Sequence, residues 1–231
     1  YDTTFAQSLG DTSSFEGRII NQGIDYNKHW GDIDRWTLNS NGDTIHNNSI
    51  LNTKQNYFHK PQYSLRHFWV VNDKFYISNI SYASIGNGGG TGISGNTNNY
   101  DDYGQYHLQD AYNGNINNID VLYSDDESKS STYLRSSINN HYWYGLLSTV
   151  NYNPSEEISI SGGLDLRTYK GEHYREVYDL LGGDYAIDDE NGLQLTQVKN
   201  VGDIVGYHND GFVKWIGGFG QVEYNNGRIS T

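Results

Sequence analysis

Strict alternation between Asn140 and Lys170 sets the tightest limit on what this chain can fold into. Ile158, Ile160, Leu164 and Leu166 alternate there with Ser159, Ser161, Asp165 and Arg167. Ahead of them, Tyr142, Tyr144, Leu146, Val150 and Tyr152 share one parity, and Asn153-Pro154-Ser155-Glu156 supplies a tight turn. A period of two sends successive side chains to opposite faces of a strand, so the pair reads as a β-hairpin with one apolar and one wet face. A slip of one residue would move Asp165 and Arg167 onto the apolar face, so the register is specified too. What remains open is whether the apolar face meets a protein core or lipid.

The same signal recurs along the chain. Residues 61–71 read as a strand with Tyr63, Leu65, His67 and Trp69 on one face, and Asn72-Asp73 makes a turn. Residues 74–85 return, with Tyr76, Ile80 and Tyr82 opposite Phe75, Ile77 and Ala83. Residues 212–224 form a further strand, and Asn226-Gly227 is the strongest hairpin-turn dipeptide, with the start of another strand at 228–231. The expected layout is loop 1–60, hairpin 61–85, loop 86–140, hairpin 141–169, loop 170–211 and strand 212–224. The long segments are rich in Asn, Asp, Gly, Ser and Thr. Short strands are expected near Arg35–Leu38 and Ile119–Tyr123. Tyr174, Val177, Tyr178 and Leu181, followed by Gly182-Gly183, predict one or two helical turns with a glycine stop.

The rhythm of connections separates two architectures. Structureless loops beyond about 12–15 residues are uncommon in compact soluble domains. Short turns alternating with long loops are the habit of outer-membrane barrels. Distance agrees. Tyr142 to Tyr152 is ten residues, about 33 Å of strand. Tilted by about 40°, that covers about 25 Å, the height of the apolar band of such a barrel. Tyr142 and Tyr144 would form one aromatic girdle and Tyr152 the other, with Ser159, Ser161, Asp165 and Arg167 facing an aqueous lumen. An Arg at the bilayer midplane would cost about 2–4 kcal/mol, which favours that inward register.

Composition narrows the partners. The 231 residues include 28 acidic and 15 basic ones, a formal net charge of −13, which argues against nucleic acid and anionic membrane surfaces. Hydrophobic residues make up 35% and mean hydropathy is −0.75, low for a chain that buries one large core. Aromatics at 14%, with 21 Tyr, argue against disorder. The chain has no Cys, which excludes disulfides and thiolate chemistry, and no Met, from which it is expected to be an internal segment of a longer protein. No run of 18 apolar residues provides a membrane helix, whereas a β-strand needs only about ten alternating positions to cross.

Chemical motifs are sparse. Gly90-Thr91-Gly92-Ile93-Ser94-Gly95 matches G-x-G-x-x-G, but no helix pattern follows, so the reading is a flexible loop base. Asp101-Asp102, Asp125-Asp126-Glu127 and Asp188-Asp189-Glu190 lack the spacing of a calcium loop and read as solvated surface. His173 and Glu176 sit at helical spacing without further metal ligands. Neither G-x-S-x-G nor H-E-x-x-H occurs. The expectation is therefore no enzyme, no catalytic residues, no metal and no cofactor. The Tyr and Trp residues of the long segments would suit sugars or planar chelates, with no individual contact assignable.

Several phrases together resemble one family. Gly162-Gly163-Leu164-Asp165-Leu166-Arg167, Gly171-Glu172-His173-Tyr174-Arg175-Glu176-Val177 and Asp179-Leu180-Leu181-Gly182-Gly183-Asp184-Tyr185 resemble the TonB-dependent outer-membrane receptors of the Bacteroidetes type. So do Phe58-His59-Lys60-Pro61-Gln62, Ser84-Ile85-Gly86-Asn87-Gly88-Gly89-Gly90 and Gly218-Phe219-Gly220-Gln221-Val222-Glu223-Tyr224. The resemblance covers roughly residues 57–231. It implies an all-β fold, an antiparallel meander of long strands forming part of a transmembrane β-barrel, with long extracellular loops. It also implies an outer-membrane location, lipid around the wall, and uptake of a siderophore, oligosaccharide or similar nutrient. The energy would come from the TonB complex acting through a plug domain, and neither a plug nor a TonB box is found in these residues. The alternative expectation is a soluble β-rich carbohydrate-binding or adhesin-like module.

Overall fold

The structure, a computed structural model, describes residues 26–101, 104–188 and 197–227. It is mostly antiparallel β-sheet with one short helix. In chain order the elements are β1 (Trp30–Asp34), β2 (Thr37–Leu38), β3 (Thr44–Ile45), β4 (Asn48–Asn52), β5 (Asn56–His59), β6 (Gln62–Asn72) and β7 (Phe75–Gly95). The helix α1 (Leu108–Asn115) follows, then β8 (Thr132–Tyr152), β9 (Ile158–Asp179), β10 (Ala186–Ile187), β11 (Val198–Lys199) and β12 (Ile204–Tyr224). The main sheet runs β12-β9-β8-β7, with β5 and β6 both against β7. Two compact units divide the chain. The first comprises 1–57, 89–137 and 174–208, and the second 58–88, 138–173 and 209–231.

In the second unit the sequence-level hairpins are present. β6 and β7 pair antiparallel from Gln62↔Ser84 to Val70↔Tyr76, and the turn falls at Asp73-Lys74. Side-chain contacts fix which positions share a face. Asn79 bonds both His67 and the Ser148 hydroxyl, and the Phe75 ring meets Tyr152, so odd positions of β6 and β7 lie with even positions of β8. On the opposite face Tyr82 meets Trp143, His141 meets Tyr169, and Phe219 lies over Gly163. Tyr142, Tyr144, Leu146, Val150 and Tyr152 therefore share one face with Ile158, Ile160, Leu164 and Leu166. Asp165 and Arg167 are on the other.

That sheet is one layer thick. Among the described residues the buried hydrophobic side chains belong to the first unit, with Ile138 the exception. Every residue of β6 is exposed, and Leu164 in the middle of β9 remains 57% exposed. A Leu or Ile left in water forgoes about 1.5–3 kcal/mol of burial, and this face finds no cover among the described residues.

The first unit buries its apolar residues within itself. Ile33, Tyr106, Leu108, Tyr112, Leu134 and Leu181 form one cluster, and Tyr133, Val177, Leu180, Ala186 and Val205 a second. α1 presents Leu108 and Tyr112 to the first cluster, and β1 pairs β4 beside it. The turn after β9 ties these parts together. Asn115, buried at the end of α1, donates through Nδ2 to the carbonyls of Thr132 (2.7 Å), Leu180 (3.1 Å) and Leu181 (3.0 Å). Its Oδ1 accepts from the backbone N–H groups of Ser131 (3.0 Å) and Thr132 (3.4 Å). Asp179 accepts from the Leu181 N–H at 2.9 Å and from both guanidinium nitrogens of Arg35. These bonds hold Leu181 at φ 49° with its side chain fully buried, ahead of Gly182 at φ 90°. A left-handed β-unbranched residue tolerates this conformation only when its surroundings over-determine it.

Several expectations are corrected. The long strands run further than the alternation indicated: β7 continues through the glycine-rich stretch to Gly95, β8 begins at Thr132, β9 reaches Asp179 and β12 begins at Ile204. The predicted helical turns at Tyr174–Leu181 are strand up to Asp179 and then a turn. Positions four apart coincide in a two-residue and a 3.6-residue period, so the pairs Tyr174/Tyr178 and Val177/Leu181 fit either. Gly90–Gly95, read as a flexible loop base, is the end of strand β7. The strand expected at Ile119–Tyr123 is a turn with one bridge, Ile119 to Ser128. The strand expected at Arg35–Leu38 appears as β1 and β2 around it. The strand start at 228–231 lies outside the described residues.

Two predictions follow from the first unit. Asn115→Ala orphans several buried backbone groups at once and should lower stability by about 2–3 kcal/mol. A urea-unfolding midpoint unchanged from wild type would contradict that role. In the turn after α1, Lys129 bonds Asp120. That bond, with help from the Leu122 N–H, holds the Asp120 carboxyl below its ordinary range and raises Lys129. The depressed carboxyl contributes stability above the usual Asp titration and loses it as pH falls through its lowered value. The raised amine contributes below the usual Lys titration and loses it as pH rises through its raised value. Hydrogen-exchange protection at residues 118–129 should therefore be flat at neutral pH and fall only in strong acid or strong base. Asp120→Asn should abolish the pH response.

Candidate functional site

The charged face of the second unit carries a hollow. The backbone alternation sends His141, Trp143, Arg167, Tyr169, Val213 and Trp215 to the same side of three neighbouring strands, and Lys60 joins them ahead of β6. The hollow has a volume of about 430 Å³. A second hollow of about 410 Å³ lies beside it, sharing Trp215 and lined by Ile80, Leu147, Asp165 and Phe219.

Glycines set where the rings lie. Gly145 has no side chain, and the Tyr82 ring occupies the place a Cβ would take. At Gly163 the Phe219 ring does the same, 2.5 Å from that position. Each glycine lets a cross-strand ring lie down on the sheet, a packing that recovers part of what glycine loses in a strand. Tyr82 then meets Trp143 edge-on at 5.9 Å between centroids.

Polar groups are few and fixed. Arg167 is held by Asp165 through two bonds, Nε–Oδ1 at 2.8 Å and Nη2–Oδ2 at 2.5 Å. His141 Nδ1 lies 3.2 Å from the Tyr169 hydroxyl. Lys60 is the hollow's second cation. Ring faces from Trp143, Tyr169 and Trp215, with donors at their margins, make a surface that stacks on a flat or polyhydroxylated solute. Its chemistry is that of holding a ligand.

The opposite face carries a short polar chain in its middle and charged groups near one end. Mid-face, Ser148 Oγ donates to Asn79 Oδ1 at 2.7 Å, and Asn79 Nδ2 donates to His67 Nδ1 at 3.2 Å. Lys170 and Lys214 share the face near one end, where Lys170 lies over Phe212 at 5.6 Å and bonds Glu172 and Asp210.

The motif residues fare differently. Gly90–Gly95 lies within β7 and leads into no helix, and Thr91 is buried against Gln55 and Thr53. His173 and Glu176 are three apart on a strand, hence on opposite faces, and His173 Nδ1 meets Asn139 Oδ1 at 2.7 Å. Asp125, Asp126 and Glu127 are an exposed turn capped by Ser124. Asp188 accepts from the Gly206 N–H at 2.9 Å, while Asp102, Asp189 and Glu190 lie outside the described residues. Among the described residues no three His, Asp or Glu side chains gather as a metal site requires. Sequence reading assigned no ligand contact. The parity of each site residue was visible, but the register bringing Lys60, His141, Arg167 and Trp215 together was not.

No protein-family model, no curated protein and no solved structure matches this chain.

Gly145→Val tests the ring placement. The new side chain must displace Tyr82, and overpacking of this kind costs about 1–3 kcal/mol. Adding Tyr82→Ala should recover most of that loss. A double variant no more stable than the single one would contradict the contact.

Proposed function

We propose that this chain is part of the wall of an outer-membrane β-barrel of the TonB-dependent receptor type, which takes up a siderophore, oligosaccharide or similar nutrient. One observation carries the reading: the second unit is a single-layer sheet with an apolar face whose charged residues sit only near one end. Phe75 to Ile85, Tyr142 to Tyr152, Ile158 to Thr168 and Phe212 to Val222 each span ten residue steps and place six alternate positions on that face. Each is about 33 Å of strand, the length that crosses the apolar band of a bilayer when tilted. Asp165, Arg167 and Arg66 point the other way, where water is available. The outer edges of β6 and β12 carry no paired strand among the described residues, as a wall with further strands requires.

The connections support the same reading. The turns at 73–74 and 153–157 are short and belong to the second unit, whereas 96–131 and 180–203 are long and belong to the first. On a receptor wall the short turns are periplasmic and the long connections extracellular. The hollow of Trp143, Arg167, Tyr169 and Trp215 then faces the lumen, on the path of the solute. Energy coupling runs through the plug domain and TonB complex that the resemblance implies.

A second reading, a soluble carbohydrate-binding module, has one observation in its favour: the first unit buries a core of its own. The chain has no cysteine, so single thiols separate the two readings. In outer membranes, Asp165→Cys should react with a water-soluble maleimide and Leu164→Cys should be protected. Equal reactivity would overturn the wall. A monodisperse chain purified without detergent would favour the soluble module.

A further inference from the structure

We infer that Arg135 and Arg175, in the first unit, form a binding site for an oxyanion: a carboxylate, sulfate or phosphate group carried by a solute. The inference rests on these side chains and stands apart from the wall reading. The two arginines come from β8 and β9, which are neighbours in the sheet. Each is within electrostatic reach of the other, and burial followed by the Arg175 charge depresses the Arg135 guanidinium from its ordinary value. An arginine does not escape such repulsion by losing its proton. Both charges stay.

Among the described residues neither has a counter-ion. Among the described residues every ion pair involves other cations: Arg35 with Asp179, Lys129 with Asp120, Arg167 with Asp165, Lys170 with Glu172 and Asp210, and two histidines with neighbouring aspartates. The chain has 28 acidic residues for 15 basic ones, so two adjacent unpaired arginines are not a shortage of partners.

The local geometry leaves donors unused. Arg135 Nη1 donates to Ser137 Oγ at 2.6 Å, and its guanidinium lies 3.6 Å from where a Cβ on Gly92 would be. The absence of that Cβ keeps space beside the fork. Arg175 sits 5.2 Å from the Tyr207 ring centroid, and its Nε is buried without a hydrogen-bond partner. A buried unpaired N–H on a cation is costly. One oxyanion between the two forks supplies the missing acceptors and removes the repulsion, the bidentate recognition for which guanidinium is built.

The test uses the full chain. Thermal unfolding is followed while sodium sulfate or sodium glucuronate replaces sodium chloride at constant ionic strength. A saturable rise in Tm with either anion is expected, and the two arms distinguish an inorganic anion from a sugar carboxylate. Arg135→Gln and Arg175→Gln should each weaken the apparent affinity about tenfold or more. Arg135→Lys and Arg175→Lys keep the charge without the fork and should weaken it less, which keeps the test readable if a Gln variant fails to fold. No saturable rise with either anion, or variants that respond like wild type, would overturn the site. The titration reads the same whether or not the chain needs detergent, so its failure is separate from failure of the wall reading.

Discussion

A sheet one layer thick has only its own two faces on which to place apolar side chains, and the second unit depends on that constraint. Its strands alternate so regularly that Leu146, Val150, Ile158, Ile160, Leu164 and Leu166 converge on one side, while Asp165 and Arg167 converge on the other. Among the described residues of that unit, no helix or second sheet is layered on either face. Apolar side chains of that face, Leu164 among them, therefore stay exposed among the described residues. Its polar residues obey the same logic: His67, Asn79 and Ser148 sit mid-face, but each directs its hydrogen bonds at the next.

The first unit meets the opposite problem. Its connections are rich in Asn, Ser and Gly, and its apolar residues are few, so burial alone does not hold it. Polar groups are buried with their partners instead. Asn115 uses both ends of one amide to join α1, the start of β8 and the turn after β9. Ser130 donates to Leu180 O at 2.5 Å, and Asp184 accepts from Ser128. A satisfied network of this kind defines one geometry where a small apolar core would permit several.

What was legible in the sequence was parity. The alternation at 61–71 and 158–168 gave strand positions and faces that agree with the structure to within a residue, because apolar or aromatic side chains recur at every second place. The continuation of the strands was hidden for a definable reason. In Gly86–Gly95 the side chains that would mark alternation are missing, since Tyr57 packs where a Cβ of Gly89 would sit. In Thr132–Asn140 and Lys170–Asp179 polar residues occupy both faces, so no apolar parity marks the strand. α1 was missed because Gly114 and three polar neighbours dilute its apolar spacing. The hollow and the arginine pair depend on cross-strand register, which no single strand encodes.

The turn at Leu181 has a consequence for variation. Its backbone conformation is one that glycine adopts freely, and replacing Leu181 by Gly would relieve strain of about 1 kcal/mol. The same replacement would empty a fully buried site, at about 2–5 kcal/mol for a lost Leu side chain. Packing outweighs backbone preference, so homologous chains that keep this turn should keep a large unbranched apolar residue where local conformation alone would ask for glycine. A substitution there would be read first in how α1 seats against the turn, and only afterwards in the strand itself.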